Sequence, residues 1–206
     1  MKKYKCNENY FSELLDEYRV YWIGFIMADG CIYKNSLQFN LHWKDRTHLE
    51  KFKKDIQAKN PIYHIRNACR LMISSKKICD DLSKFNIVPR KSLIAKTPTN
   101  IPNNLIKHFW RGMIDGDGHL CIKVGKLPRY SYLLLGLTGT KDIIENFIKF
   151  TKVKRKPVIH GNVFTCSLGG FETLRITRLL YKKAKIYLDR KSQYYQKHKH
   201  TFHLVT

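Results

Sequence analysis

Residues 36–43, SLQFNLHW, alternate strictly between apolar and polar side chains. Leu37, Phe39, Leu41 and Trp43 share one face, and Ser36, Gln38, Asn40 and His42 share the other. This is the period-two pattern of a strand with one buried face. The preceding CIYKN predicts the partner strand of a hairpin. Ahead of the hairpin, Tyr21, Trp22 and Ile26 lie on a helical pattern for which Asp16 is a suitable N-cap. Behind it, DRTHLEKFKKDI predicts a helix opening on Asp45, PIYHIR and RLMISS a second strand pair, and KKICDDLSKF a closing helix.

The same order is then written again. IPNN, with Asn103 or Asn104 as cap, precedes the helical LIKHFWRGMI, and HLCIKV and YSYLLLGLTG follow as strands around a GKLPR turn. KDIIENFIKF predicts a helix with Asp142 as its capping acid. KPVIHG and VFTCSL are the next strands, and one long helix is expected over FETLRITRLLYKKAKIYLDRKSQYYQ. PRKS at 89–92 and DRKS at 189–192 close the two halves alike. The Pro- and Asn-rich IAKTPTNIPNN divides them, so the expected halves are residues 1–95 and 96–206 of one compact unit. The fold class is α+β, with helix, two strands, helix, two strands, helix given twice.

The first helix of each half carries the closest repeat, WIGFIMADG at 22–30 and WRGMIDGDG at 110–118. Gly24 and Ala28, and likewise Gly112 and Gly116, are four residues apart and fall on one helical face. Small residues so placed let two helix backbones approach closely. Both apolar runs end in Asp-Gly, where Gly30 and Gly118 provide a residue able to leave the helical region. If the two helices pair side by side, Asp29 and Asp117 become neighbours at one end. Two adjacent carboxylates repel unless a cation lies between them, and oxygen donors suit hard divalent ions. Such sites activate water and stabilise the leaving oxygen in phosphodiester hydrolysis.

Charge narrows the choice of partner. The 206 residues hold 39 Lys and Arg against 16 Asp and Glu, a net charge of +23. That excess calls for a polyanion. The basic residues are scattered along the chain rather than gathered on one amphipathic helix, which favours nucleic acid over a membrane surface. No apolar run is long enough to span a bilayer, and the N-terminus lacks the apolar stretch of a signal peptide. The six cysteines contain no C-x-x-C pair, and they read as small buried hydrophobes in a reducing, intracellular setting.

The two nonapeptides resemble the paired LAGLIDADG motifs of monomeric homing endonucleases, and the resemblance covers essentially the whole chain. It implies two αββαββα halves whose sheets form a saddle over DNA, with the motif helices at a pseudo-two-fold axis. It also implies that Asp29 and Asp117 are the catalytic metal ligands. Met27 stands where the pattern often has its earlier acid, and Asp115 keeps that acid outside the essential pair. Relatives place basic residues around the attacking water. Lys91 and Lys191 are the expected catalytic cations, with Arg90 and Arg190 as alternates.

The expected cofactor is Mg²⁺, replaceable by Mn²⁺, with Ca²⁺ supporting binding without cleavage. The expected partner is an asymmetric double-stranded DNA target, bound by a monomer that needs no further protein. Base-edge chemistry is expected from Ser36, Gln38, Asn40 and His42, because Gln and Asn pair bidentately with adenine in the major groove. Further contacts are expected from Tyr33, Lys34, His64, Arg66, Arg70, Lys123, Arg129, Tyr130, Tyr132 and His160. The main alternative activity is that of an RNA maturase on the same fold, and a silent DNA-binding regulator is a third reading. Retention of both acids weighs against the last.

Overall fold

The computed structural model describes residues 4–124 and 131–198. α1 (Glu17–Asp29) leads into the hairpin of β1 (Gly30–Tyr33) and β2 (Ser36–His42), followed by α2 (Arg46–Asp55), β3 (Ile62–Ile65), β4 (Ala68–Ser74) and α3 (Lys76–Ser83). The order recurs in α4 (Ile106–Gly116), β5 (His119–Val124), β6 (Ser131–Gly139), α5 (Lys141–Thr151), β7 (Val158–His160) and β8 (Val163–Gly169). α6 (Gly170–Tyr181) and α7 (Asp189–His198) complete it. Each half makes one antiparallel four-stranded sheet, in the orders β1-β2-β4-β3 and β5-β6-β8-β7.

The alternation in β2 holds as far as Leu41. Leu37, Phe39 and Leu41 are buried, and the sheet's inner face packs on helices through rings such as Phe39–Phe52 and Phe25–Phe39, at 5.1 and 6.1 Å between centroids. Trp43 departs from the expected strand and is 48% exposed. The chain turns there into a 3-10 turn, Trp43–Asp45, with the Trp43 N–H donating to the Asn67 carbonyl (2.9 Å).

Helix starts follow side-chain chemistry unevenly. Asp16 caps α1 by accepting from the Arg19 N–H (2.8 Å). Asp45 stands at the N-cap of α2 but makes no capping bond. Thr140 rather than Asp142 caps α5, since its hydroxyl accepts from the Ile143 N–H, while Asp142 accepts from the Thr97 N–H (2.6 Å). Neither Asn103 nor Asn104 caps α4; the helix is entered from a turn in which the N–H groups of Leu105 and Ile106 both donate to the Pro102 carbonyl.

α1 and α4 pack against each other with their backbones in contact. A Cβ on Gly24 would sit 2.1 Å from the Phe109 carbonyl oxygen, and one on Gly112 would sit 2.2 Å from that of Tyr21. A Cβ on Gly116 would meet the Ala28 Cβ at 2.4 Å. These distances leave no room for a side chain at this face. Gly30 leaves the helical region as expected, but through extended backbone (φ −78°, ψ 148°) that any residue adopts, and neither it nor Gly118 has positive φ; the need for glycine is steric. Their strands fold back over the last helical turn so tightly that a Cβ would lie 2.6 Å from Ile26 Cγ2 and 2.7 Å from Ile114 Cα, respectively.

The long closing helix expected over 171–196 is broken between α6 and α7. Two α4 side chains, one turn apart, hold the intervening segment. Arg111, wholly buried, donates to the carbonyls of Leu180 (2.9 Å) and Ile186 (2.8 Å), and Asp115 accepts from the Leu188 N–H (2.7 Å). Lys183 takes a left-handed conformation (φ 59°) inside the break. Backbone groups that a continuous helix would pair internally are paired sideways instead.

Candidate active site

Asp29 is the last residue of α1, and Asp117 follows the last residue of α4. The close helix contact brings them together, and an Asp29 carboxylate oxygen lies 3.3 Å from where a Cβ on Gly116 would be. Part of each side chain reaches solvent, but the packed helix ends withhold water from the other side. This desolvation is the main reason both carboxyls rise above the usual range, Asp29 to about 6, and the Asp117 charge adds to the effect on Asp29. Both also stand at helix C-termini, where the unpaired carbonyls concentrate negative potential.

Lys91 and Lys191 answer that potential. Lys91 is buried and directs its ammonium at the carbonyls of Gly30 (2.6 Å) and Ala28 (3.4 Å), at the end of α1. Lys191, also buried, does the same for α4 through the carbonyls of Ile114 (2.7 Å), Asp115 (2.8 Å), Gly116 (3.1 Å) and Gly118 (2.5 Å). Burial lowers both ammonium pKa values, that of Lys191 to about 8. The electrostatic pairing crosses between halves. Asp117 is stabilised first by Lys91 and Asp29 first by Lys191. Lys91 and Asp117 also line one cleft of about 270 Å³. Lys91 and Asp117 thus form a composite constellation, with a lysine from one half and an acid from the other.

Asp115, the acid that acts most strongly on Lys191, lies outside that cleft. It is fully buried and accepts from the hydroxyls of Tyr21 (2.8 Å) and Tyr181 (2.5 Å) as well as from Leu188. Tyr21 also hydrogen-bonds His48 Nε2 (2.9 Å), so this acid ties the two halves together inside the core.

Strand register sorts the residues expected on the sheets. Directly opposed residues share a face. Asn40 opposes Arg70, and Arg70 opposes Tyr63, so all three lie on the open face of the first sheet with Ser36, Gln38, His42 and Tyr33. Lys34 and Arg66 occupy the tips of its two hairpins, both in left-handed conformations (φ 52° and 53°). His64 does not join them. It opposes Cys69, which is buried on the inner face, so His64 points to the other side of the edge strand. Tyr63 takes its place, 51% exposed, and strand parity counted from Arg70 would have found it. On the second sheet Lys123 opposes Tyr132 on the open face, and His160 lies on that face at the edge. Arg129 and Tyr130 lie outside the described residues.

His119, directly after the second motif, also escaped the sequence reading. Its ring lies across the second sheet over Gly136, where a Cβ would come within 2.0 Å of the imidazole. Asp45 was read only as a cap; it is buried and paired with Arg190 across the two halves. A lone acid in so basic a chain, just after an alternating strand, was the available signal.

Twin antiparallel sheets flanking two helices in backbone contact define the fold of the LAGLIDADG homing endonucleases. Solved structures of that class superpose on nearly the whole chain. The meganuclease I-AabMI bound to uncleaved DNA is 18% identical, with 92% of this chain and 91% of that chain covered at a TM-score of 0.63. The homing endonuclease I-LtrWI bound to target DNA is 14% identical, with 96% and 91% covered at 0.62. I-SmaMI, bound to uncleaved DNA in the presence of calcium ions, is 14% identical, with 94% of each chain covered at 0.61. At these identities the likeness is one of fold. No protein-family model matches the sequence, and no curated protein matches it.

Proposed function

We propose that the protein is a site-specific, divalent-metal-dependent double-strand DNA endonuclease that acts as a monomer. The observation that carries this reading is the Asp29–Asp117 pair, fixed at the ends of two interlocked helices between two open sheet faces in a chain of charge +23. The solved neighbours bound to DNA support it.

The donor set fits a hard cation. Two carboxylates, each raised by desolvation, gain from a positive charge between them. Asp29 and Asp117 would hold the ion and leave its remaining positions to water and phosphate oxygens, as Mg²⁺ favours. Mn²⁺ would substitute, and Ca²⁺ would support binding alone. The bound ion supplies activation of water and stabilisation of the leaving oxygen.

The chain's own groups do the rest. Asp29 and Asp117 fix where the charge is needed. Lys191 spends its N–H groups on helix carbonyls and acts on the acids through its field, whereas Lys91, with two carbonyl partners, keeps one N–H for the cleft it shares with Asp117. The open faces present Gln38, Asn40, Tyr63 and Arg70 to base edges in one half-site and Lys123 and Tyr132 in the other.

The test begins by selecting cleaved sites from a randomised DNA library. On a plasmid carrying the selected site, Asp29→Asn and Asp117→Asn should each lower Mg²⁺-dependent double-strand cutting by on the order of 10³-fold or more. Binding measured in Ca²⁺ should survive. Full double-strand cutting by the double variant would overturn the proposal.

A further inference from the structure

The two halves enter their second helix differently. β2 passes through the turn Trp43–Asp45 before α2, whereas β6 reaches α5 through Thr140 alone. The extra turn delivers one carboxylate, Asp45, whose side chain is 9% exposed. Asp45 accepts from Arg190 Nε with both oxygens, at 2.9 and 3.1 Å. Arg190 belongs to the first turn of α7, next to Lys191, and its side chain is 51% exposed. Its two terminal nitrogens donate to no protein acceptor among the described residues. A guanidinium is therefore gripped from behind while its fork, the part that matches two phosphate oxygens, is left open. Lys191, the next residue, reaches the carbonyls of Gly116 and Gly118 on either side of Asp117, and the Arg190 charge is felt by Asp45 first, then by Asp115 and Asp29, so the open fork stands near the end of the motif helices that carries the paired acids.

Nothing comparable is built at the twin positions. Arg90, the matching arginine, is exposed and sits in a left-handed conformation (φ 56°). In place of Asp45 stands Thr140, whose hydroxyl donates to the Ala95 carbonyl (2.6 Å) and caps α5. The nearby Asp142 is committed to the Thr97 N–H.

We infer that Arg190 is a phosphate ligand for one of the two strand cuts only, and that Asp45 is the positioning residue that aims it. The inference rests on the endonuclease reading and deepens it, because it makes the two scissions chemically unequal. Arg190 would bind one scissile phosphate bidentately at the paired acids, and the opposite strand would be cut without such a clamp.

The experiment follows both strands of the selected target, separately end-labelled on a supercoiled plasmid, under single-turnover conditions with Mg²⁺. Arg190→Ala should slow one strand by about 10- to 100-fold while changing the other by less than about twofold, so nicked circle accumulates before linear product. Asp45→Asn should slow the same strand by a smaller factor, and the double variant should be little worse than Arg190→Ala alone. Arg190→Lys, which keeps the charge but loses the fork, should fall between wild type and Arg190→Ala. A purely structural ion pair would slow both strands together. Equal slowing of the two strands, or slowing of neither, overturns the inference while leaving the endonuclease reading intact. Asp45 is buried and its variant could misfold; Arg190→Ala alters a half-exposed side chain and decides the matter on its own. A wild-type protein that cuts neither strand sinks the endonuclease reading, and the clamp with it.

Discussion

The two motif helices share one face and differ on the other. On the shared face Gly24 and Ala28 meet Gly112 and Gly116 so closely that backbone touches backbone. On the outer face α1 carries Ile23 and Met27, both buried, where α4 carries Arg111 and Asp115, also buried. The difference shows which part of a duplicated unit is free to diverge. The shared face has to satisfy its twin, and no larger side chain fits. The outer face is free to take different partners, and the two helices use that freedom in opposite ways. Apolar packing serves the first. A wired connection serves the second, where Arg111 and Asp115 hold the α6–α7 segment that carries Lys191 back to the end of α4. Glu17 completes it from the first half by pairing with Arg111 (2.8 Å) and accepting from the Lys185 N–H (2.7 Å).

Removing the wiring gives the largest expected loss of stability. Asp115→Ala leaves two buried tyrosine hydroxyls and the Leu188 N–H without their acceptor, and should cost about 3–5 kcal/mol in denaturant unfolding. Asp115→Asn, which keeps an acceptor oxygen, should cost less and leave most cleavage activity at low temperature. Met27→Leu, at the matching position of the apolar half, should cost under about 1.5 kcal/mol. If Asp115→Ala is as mild as Met27→Leu, the outer faces are not the two different devices described.

Gly24→Ala and Gly112→Ala probe the shared face. Each puts a methyl about 2 Å from a carbonyl oxygen of the other helix. Overpacking of this kind typically costs about 1–3 kcal/mol, and the two variants should cost similar amounts. A tolerant position at either site would mean that the helix contact is looser than its twin.

The open sheet faces sharpen the contrast further. The central strand of the first sheet shows Ser36, Gln38, Asn40 and His42, whereas that of the second shows Tyr132, Leu134, Gly136 and Thr138. Sites selected from a random library should be better defined in the half bound by the first sheet. Gln38→Ala or Asn40→Ala should each relax preference at one base pair there, by about 1–3 kcal/mol if the contact is bidentate.

The smallest effect concerns the acids themselves. In metal-free protein the Asp29 carboxyl should titrate near pH 6, because of desolvation first and the Asp117 charge second. Between about 6 and the ordinary value of 3.8 the folded state then binds more protons than the unfolded one. Asp29 should thus penalise stability fully above pH 6, and the penalty should ease as the pH falls through that window. In Asp117→Asn the repulsion is gone, so the carboxyl signal, followed by ¹³C NMR, should move to lower pH. An unmoved titration would mean that desolvation alone sets it.

Much of this arrangement was legible in the sequence. Period-two alternation found β2 and its open face, and helical spacing found the small-residue face of both motifs. Most of the failures share a cause. Trp43, the caps of α2 and α5, and the α6–α7 break were judged from local propensity, and each was decided by a partner distant in the chain; the entry to α4 was instead settled locally, by the Pro102 carbonyl. Asp45 had a cap to make and took Arg190 instead. Residues 182–188 had helical composition, but Arg111 and Asp115 claimed their backbone groups. His64 was misplaced because edge-strand alternation is weak where both faces meet water, and only its register with Cys69 fixes the side.

By itself the sequence determined the duplicated order of elements, the inner face of β2 and the two acids that end the motif helices. Repetition, period and composition are written along the chain and need no knowledge of what lies opposite. The tertiary structure alone decided that Lys91 and Lys191 are buried caps on helix carbonyls, that Lys91 shares a cleft with the acid of the other half, and that Asp45 holds Arg190 where its twin position holds no such pair. Those are contacts between residues far apart in sequence. Their strength depends on desolvation and on distances of a few ångströms, which exist only once the two halves have closed on each other.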